Sequence, residues 1–224
     1  MRLRLLKLCS TVLVAAPLAL LSAPVAQAAG SCGGGSGVGT WWVDADSGYP
    51  AAGTRLRTTT PTQWSVDRPS NSAFNQASWL WNANQANQAI EGGFFSGWFP
   101  YDNTWTNSLL PYYTLDNGGR GTRSSSALAG GSAINMDSVS GGHVSVGPTT
   151  FWFTYSVSNG QNGGQGEVKK TTNTWLGNGS GNSFTAFWTN NGSNWYAWGW
   201  HSDCNDSPYW ISSGGANGWT NGGY

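Results

Sequence analysis

Along most of this chain, apolar and polar positions alternate in short runs separated by clusters of Gly and Asn. The clearest run is 151–158, where Phe151, Phe153, Tyr155 and Val157 share one face and Thr154, Ser156 and Ser158 the other. That period of two is the signature of a half-buried strand. Similar extended runs fall at 41–44, 55–60, 63–66, 77–81, 89–95, 110–115 and 143–146, with Pro61 marking a break. Residues 82–87 read as a polar turn, 118–131 as a long polar loop and 159–166 as a turn. The segment 167–175 is expected to pair back on 151–158 as a hairpin. The strongest hairpin signal joins 184–188 to 195–200 through Asn190-Asn191-Gly192-Ser193. Glycine interrupts every potential helix, and no fixed-period repeat is visible. The pattern predicts an all-β fold, an antiparallel sandwich or barrel.

The first 28 residues do not belong to that pattern. Arg2, Arg4 and Lys7 precede an apolar run from Leu8 to Leu21, and Ala26-Gln27-Ala28 forms a small-residue cleavage site. This is the order of a secretory signal peptide, removed after Ala28. The apolar run is shorter than the roughly 20 residues that span a bilayer, so no stable membrane insertion is expected. The expected organisation is a signal peptide over 1–28, a flexible Gly-rich leader over 29–40 and one domain over 41–224. The product is expected to be secreted, extracellular and monomeric. Export places Cys32 and Cys204 in an oxidising space, which predicts a disulfide between them. In the chain-entropy model so long a loop contributes roughly 5 kcal/mol.

Composition narrows the function. Removing the leader leaves seven basic residues against ten acidic ones, a net charge of −3. Nucleic acid, which needs clustered positive charge, is excluded as a partner. Charged residues make up only 9% of the chain, while it holds 33 Gly and 15 Trp. There is no G-x-S-x-G, no HExxH, no phosphate loop and no dinucleotide fingerprint, so neither a serine elbow nor a cofactor is expected. His201, Asp203 and Asp206 lie close together but read better as a solvated loop near Cys204, so no metal is assigned.

Carboxylate chemistry remains. The mature chain has two glutamates, Glu91 and Glu167. Glu91 interrupts an apolar strand, Ala89-Ile90-Glu91-Gly92-Gly93-Phe94, and alternation sets it on the face opposite Ile90 and Phe94. It is either a solvent-facing strand residue or a desolvated carboxyl on a concave sheet face, where it can exchange protons with a substrate. Together with Gln76-Ala77-Ser78-Trp79 and Leu110-Pro111-Tyr112-Tyr113-Thr114-Leu115-Asp116-Asn117-Gly118, this stretch resembles the neprosin family of secreted glutamic peptidases. Phe184-Thr185-Ala186-Phe187-Trp188 and Gly192-Ser193-Asn194-Trp195-Tyr196 are similar to that family's late hairpin. The layout is also similar, more distantly, to the fungal glutamic peptidases.

The resemblance implies a concanavalin A-like or jelly-roll sandwich of two antiparallel sheets that cleaves polypeptide substrates at acidic pH with a pair of glutamates. Glu91 matches the first. Glu167, in Gly164-Gln165-Gly166-Glu167-Val168, resembles the surroundings of the second, although it precedes the 184–196 hairpin where the family order places it after. Tyr113, Asp116 and Trp188 would then contact substrate. A rival reading comes from the tryptophans. Tyr196, Trp198 and Trp200 fall on one strand face and would stack on the sugar rings of an extracellular glycan. A third reading is a structural cell-surface protein with no ligand.

Overall fold

A computed structural model describes residues 38–45, 51–66, 73–82, 84–116, 118–169, 175–176, 182–197, 201–205, 210–213 and 218–222. The signal segment 1–28 and Cys32 lie outside them, and with Cys32 the expected disulfide. No helix occurs among the described residues. In chain order the strands are β1 (Val38–Ala45), β2 (Gly53–Thr59), β3 (Trp64–Ser65), β4 (Ala73–Asn82), β5 (Gln85–Phe99) and β6 (Thr104–Leu115). They continue with β7 (Arg120–Arg123), β8 (Ala133–Val139), β9 (His143–Val146), β10 (Thr149–Trp152), β11 (Gly160–Lys169) and β12 (Trp175–Leu176). The last are β13 (Asn182–Thr189), β14 (Tyr196–Ala197), β15 (His201–Asn205), β16 (Trp210–Ser213) and β17 (Gly218–Gly222).

The expected sandwich is present. One sheet has seven strands in the order β15-β1-β11-β4-β5-β6-β7. The other has eight, in the order β10-β9-β8-β2-β13-β17-β16, with β14 also on β13. A two-stranded ladder joins β12 to β3. Between the sheets, Phe74, Leu80, Ile90, Phe94 and Leu115 of the seven-stranded sheet meet Leu56, Ile134, Met136, Val144, Phe184 and Ala186 of the other. Each fully buried Leu, Ile or Phe contributes about 1.5–3 kcal/mol by leaving water. A small polar seam runs through this layer. The hydroxyls of Ser78 and Ser138 lie 2.9 Å apart, and Ser138 donates to the Ser78 carbonyl at 3.0 Å. Ser78 also reaches the Gly92 carbonyl at 3.2 Å, so β4, β5 and β8 are fixed to one another beside Glu91.

The expected loop over 118–131 holds a strand, β7, paired with β6, and two further expectations fail. Residues 159–166 are not a turn but most of β11, a central strand between β1 and β4. The hairpin between 151–158 and 167–175 does not form, because β11 pairs with β4 and β10 pairs with β9. The glycines of β11 explain its placement. At Gly163 a Cβ would come 2.3 Å from the Trp81 ring, so the bare backbone is where that indole lies. The hairpin of β13 and β14 does form, with Trp188 opposite Tyr196. Strand β8 was not expected from the sequence, and β1 begins at Val38, within the expected leader.

Candidate functional site

Glu91 lies near the middle of β5. Its neighbours Ile90 and Phe94 are fully buried between the sheets, so alternation turns Glu91 to the outer face of the seven-stranded sheet. There it stands opposite Trp79 of β4 and Thr114 of β6. The intervening Gly92 explains how the strand sits so deep. A Cβ at Gly92 would meet the Val144 side chain at 2.3 Å, so only glycine lets the facing sheet close over this point.

The outer face around Glu91 carries a second apolar cluster of Ala77, Phe95, Phe99, Leu110 and Tyr112, with Trp79 against it. Tyr112 is 3% exposed. Its ring meets Phe95 edge-on at 5.7 Å and Phe99 at 6.2 Å. These contacts fix the ring, and its hydroxyl donates a hydrogen bond to Oε1 of the half-buried Glu91. Trp79 and Trp81 form an edge-to-face pair at 6.1 Å on the other flank. On the far side, Tyr101 lies across Gly121 and donates to the Gly118 carbonyl at 2.7 Å. The result is an ionisable carboxyl with an aromatic wall on each side and a fixed O–H donor at one oxygen. Such a group can accept a proton from a water and return it to a leaving atom.

The register does not bring Glu167 to this place. The row through Glu91 and Trp79 crosses β11 at Gly163, whereas Glu167 is opposite Asn75. Two strands across and four residues along put the two glutamate Cα atoms roughly 17 Å apart. The pair implied by the resemblance is therefore not assembled by these strands.

The other expected substrate contacts lie elsewhere, beginning with Tyr113. It faces the inter-sheet layer, with Phe151 at 5.1 Å and Phe153 at 5.5 Å, and its neighbour Tyr112 takes the position beside Glu91. Asp116 ends β6 with a left-handed φ of 56°. Its carboxylate accepts from the Tyr155 hydroxyl and from Arg120 Nε at 2.7 Å. Those two bonds, the tyrosine first, hold its pKa below the usual carboxylate range. Burial, followed by the bond to Asp116, pushes Tyr155 up to about 12. Asp116 is thus engaged in closing the β6–β7 turn. Trp188 packs on the edge of the inter-sheet core and Tyr196, 47% exposed, lies 5.3 Å from it. Both belong to the eight-stranded sheet, away from Glu91. Trp198 and Trp200 lie outside the described residues, as does Asp206. Cys204 takes a place in β15 opposite Trp42. Among the described residues no three His, Cys, Asp or Glu side chains gather as a metal site.

Sequence reasoning missed Tyr112. The signal was in the Tyr112-Tyr113 doublet: only one of two consecutive strand residues shares the face of Glu91, and the antiparallel register selects Tyr112.

Comparison with known proteins places two solved structures beside this one. A Scytalido-glutamic peptidase with a peptide-based transition-state analogue has a TM-score of 0.47 and 10% identity, over 84% of this chain and 98% of that one. SCP-B, a member of the Eqolisin family of peptidases in complex with the tripeptide Ala-Ile-His, has a TM-score of 0.47 and 12% identity, over 84% and 98%. No family model and no curated protein matches the chain. Function is therefore read from Glu91 and its surroundings.

Proposed function

We propose that this chain is a secreted β-sandwich hydrolase that cleaves peptide bonds at acidic pH, with Glu91 as its catalytic carboxylate. The observation that carries the reading is the half-buried Glu91 carboxylate on an aromatic sheet face, bonded by the buried Tyr112 hydroxyl. In the ionised form Glu91 takes a proton from a water molecule as the water oxygen attacks the peptide carbonyl carbon. The C–N bond then breaks, and Glu91 returns the proton to the leaving amine. Tyr112 holds the carboxylate in place through Oε1 while Glu91 meets the water. The aromatic side chains on either side limit water access and offer apolar surface to an extended peptide. Glu167 has no part in this scheme, since the strand register separates it from Glu91.

The alternative is an extracellular carbohydrate-binding module without catalysis. It is supported by the exposed Tyr196 ring beside Trp188. Incubating the purified protein with a denatured protein substrate at pH 3–5 separates the two. The peptidase reading expects fragments from wild type and none from Glu91→Gln with unchanged circular dichroism. Absence of cleavage by wild type, together with binding on a glycan array, favours the alternative.

A further inference from the structure

The outer face of the eight-stranded sheet, on the far side of the sandwich from Glu91, carries a second built site. Arg55 of β2 stands opposite Asp137 of β8 and opposite Phe187 of β13. Asp137, 4% exposed, grips the guanidinium with both oxygens, at 2.7 Å from Nε and 2.6 Å from a terminal nitrogen. Such a two-point pair fixes the plane of the arginine. On that plane lies the indole of Trp195, its ring centroid 4.1 Å from the guanidinium carbon. The turn that delivers Trp195 is fixed too. Asn191 Oδ1 accepts from the backbone N–H of Ser193 at 2.9 Å and of Asn194 at 3.0 Å. Trp195 is therefore an indole with one face held on a clamped cation, and the residue remains half-exposed.

Two positions along the same face of β2 is Arg57, roughly 7 Å from Arg55. It is exposed, donates from Nε to Asn135 at 3.2 Å, and lies over the Phe187 ring at 5.3 Å. No acidic group among the described residues pairs with it. Asp137 is consumed by Arg55, so among the described residues Arg57 has no acidic partner on this face. The ligand that complements it carries an anion roughly 7 Å from a flat apolar surface.

We infer that this face binds an acidic polysaccharide, with a pyranose ring stacked on Trp195 and a uronate carboxylate paired to Arg57. The C–H face of a pyranose is flat and apolar, and it matches an indole held in place over the clamped Arg55 guanidinium. The planar guanidinium offers two parallel N–H donors to a carboxylate. This site depends neither on Glu91 nor on peptide cleavage. It also uses Trp195, where the sequence pointed to Trp198 and Trp200.

The test is binding of the purified protein to polygalacturonate, to its fully methyl-esterified form and to poly-L-glutamate. Polygalacturonate is expected to bind, and methyl esterification to weaken binding about tenfold by removing the carboxylate. Arg57→Gln should weaken polygalacturonate binding by a similar factor and remove the advantage over the ester. Trp195→Ala should abolish binding to both, with unchanged circular dichroism. Because Arg57 is exposed and holds no core contact, its variant keeps the proposal falsifiable if Trp195→Ala fails to fold. Failure of wild type to bind, equal binding by wild type and Arg57→Gln, or equal affinity for poly-L-glutamate would overturn it.

Discussion

A carboxylate becomes useful when a neighbour fixes its position and orientation, and the Tyr112 hydroxyl does this for Glu91. A hydrogen bond to a charged group is worth about 1.5–3 kcal/mol. Tyr112→Phe is therefore expected to lower kcat by roughly tenfold or more with little change in KM, measured on a peptide substrate. Tyr113→Phe, on the opposite face, should leave kcat near wild type. Elsewhere, the bond between Tyr155 and Asp116 makes a separate prediction about stability. The folded Tyr155 titrates at about 12, above its usual 10, so its contribution is present below pH 10 and is lost as pH rises toward 12. Asp116 is shifted the other way, and its contribution is lost as pH falls below the ordinary carboxylate range. Thermal melts of Tyr155→Phe should lose the extra fall in Tm between pH 10 and 12 that wild type shows. Equal slopes for both proteins in that window would refute the raised Tyr155 titration that burial, followed by this bond, produces.

At the level of elements, the strands with their own apolar side chains were legible. The run around Ile90 and Phe94, the 143–146 strand and the Asn190–Ser193 turn all announced themselves by alternation or turn chemistry. Strand β11 did not, because its Gly, Gln and Asn residues are the composition of a turn. Its place in the sheet comes from neighbours: β4 supplies the Trp81 ring that covers Gly163. Strand β8 escaped for a related reason. Asn135 and Asp137 face outward to arginines, while the inward Ser138 is satisfied by Ser78, so few apolar residues mark it. In 153–157 the expected alternation persists in burial, but the segment is tied down only by isolated bonds such as Phe153 N–H to the Gly142 carbonyl at 3.1 Å. The site was half legible for the same cause. Parity gave the face of Glu91, but pairing register, which gives Tyr112 and separates Glu167, is a property of two strands at once. Gly92 tests that register argument. Gly92→Val would force a branched side chain into Val144 and the Ser78–Ser138 bonds. It should cost about 1–3 kcal/mol or more by denaturant unfolding and displace Glu91 enough to lower activity beyond the loss of folded protein. Wild-type stability in this variant would contradict the close approach of the sheets at Gly92.

For the whole molecule, the sandwich offers two outer faces with opposite chemistry. The seven-stranded sheet carries an acid among aromatic side chains, and the eight-stranded sheet carries a clamped arginine, an indole and a guanidinium, Arg57, with no acidic partner among the described residues. The layer between them is mainly apolar, with buried polar groups at Ser78 and Ser138, at Gln76 and at the Thr54–Asn162 bond of 3.0 Å. Cleavage and glycan binding are accordingly expected to be separable by mutation. The central claim is that Glu91 is the catalytic carboxylate of a peptidase. Its most direct test is the rate of fragment formation from a denatured protein at pH 3–5 by wild type and Glu91→Gln at matched folded concentration. The expected result is cleavage by wild type and a loss of at least 100-fold in the variant, the scale of a general acid–base contribution. Equal cleavage by both proteins, or none by wild type, would contradict it.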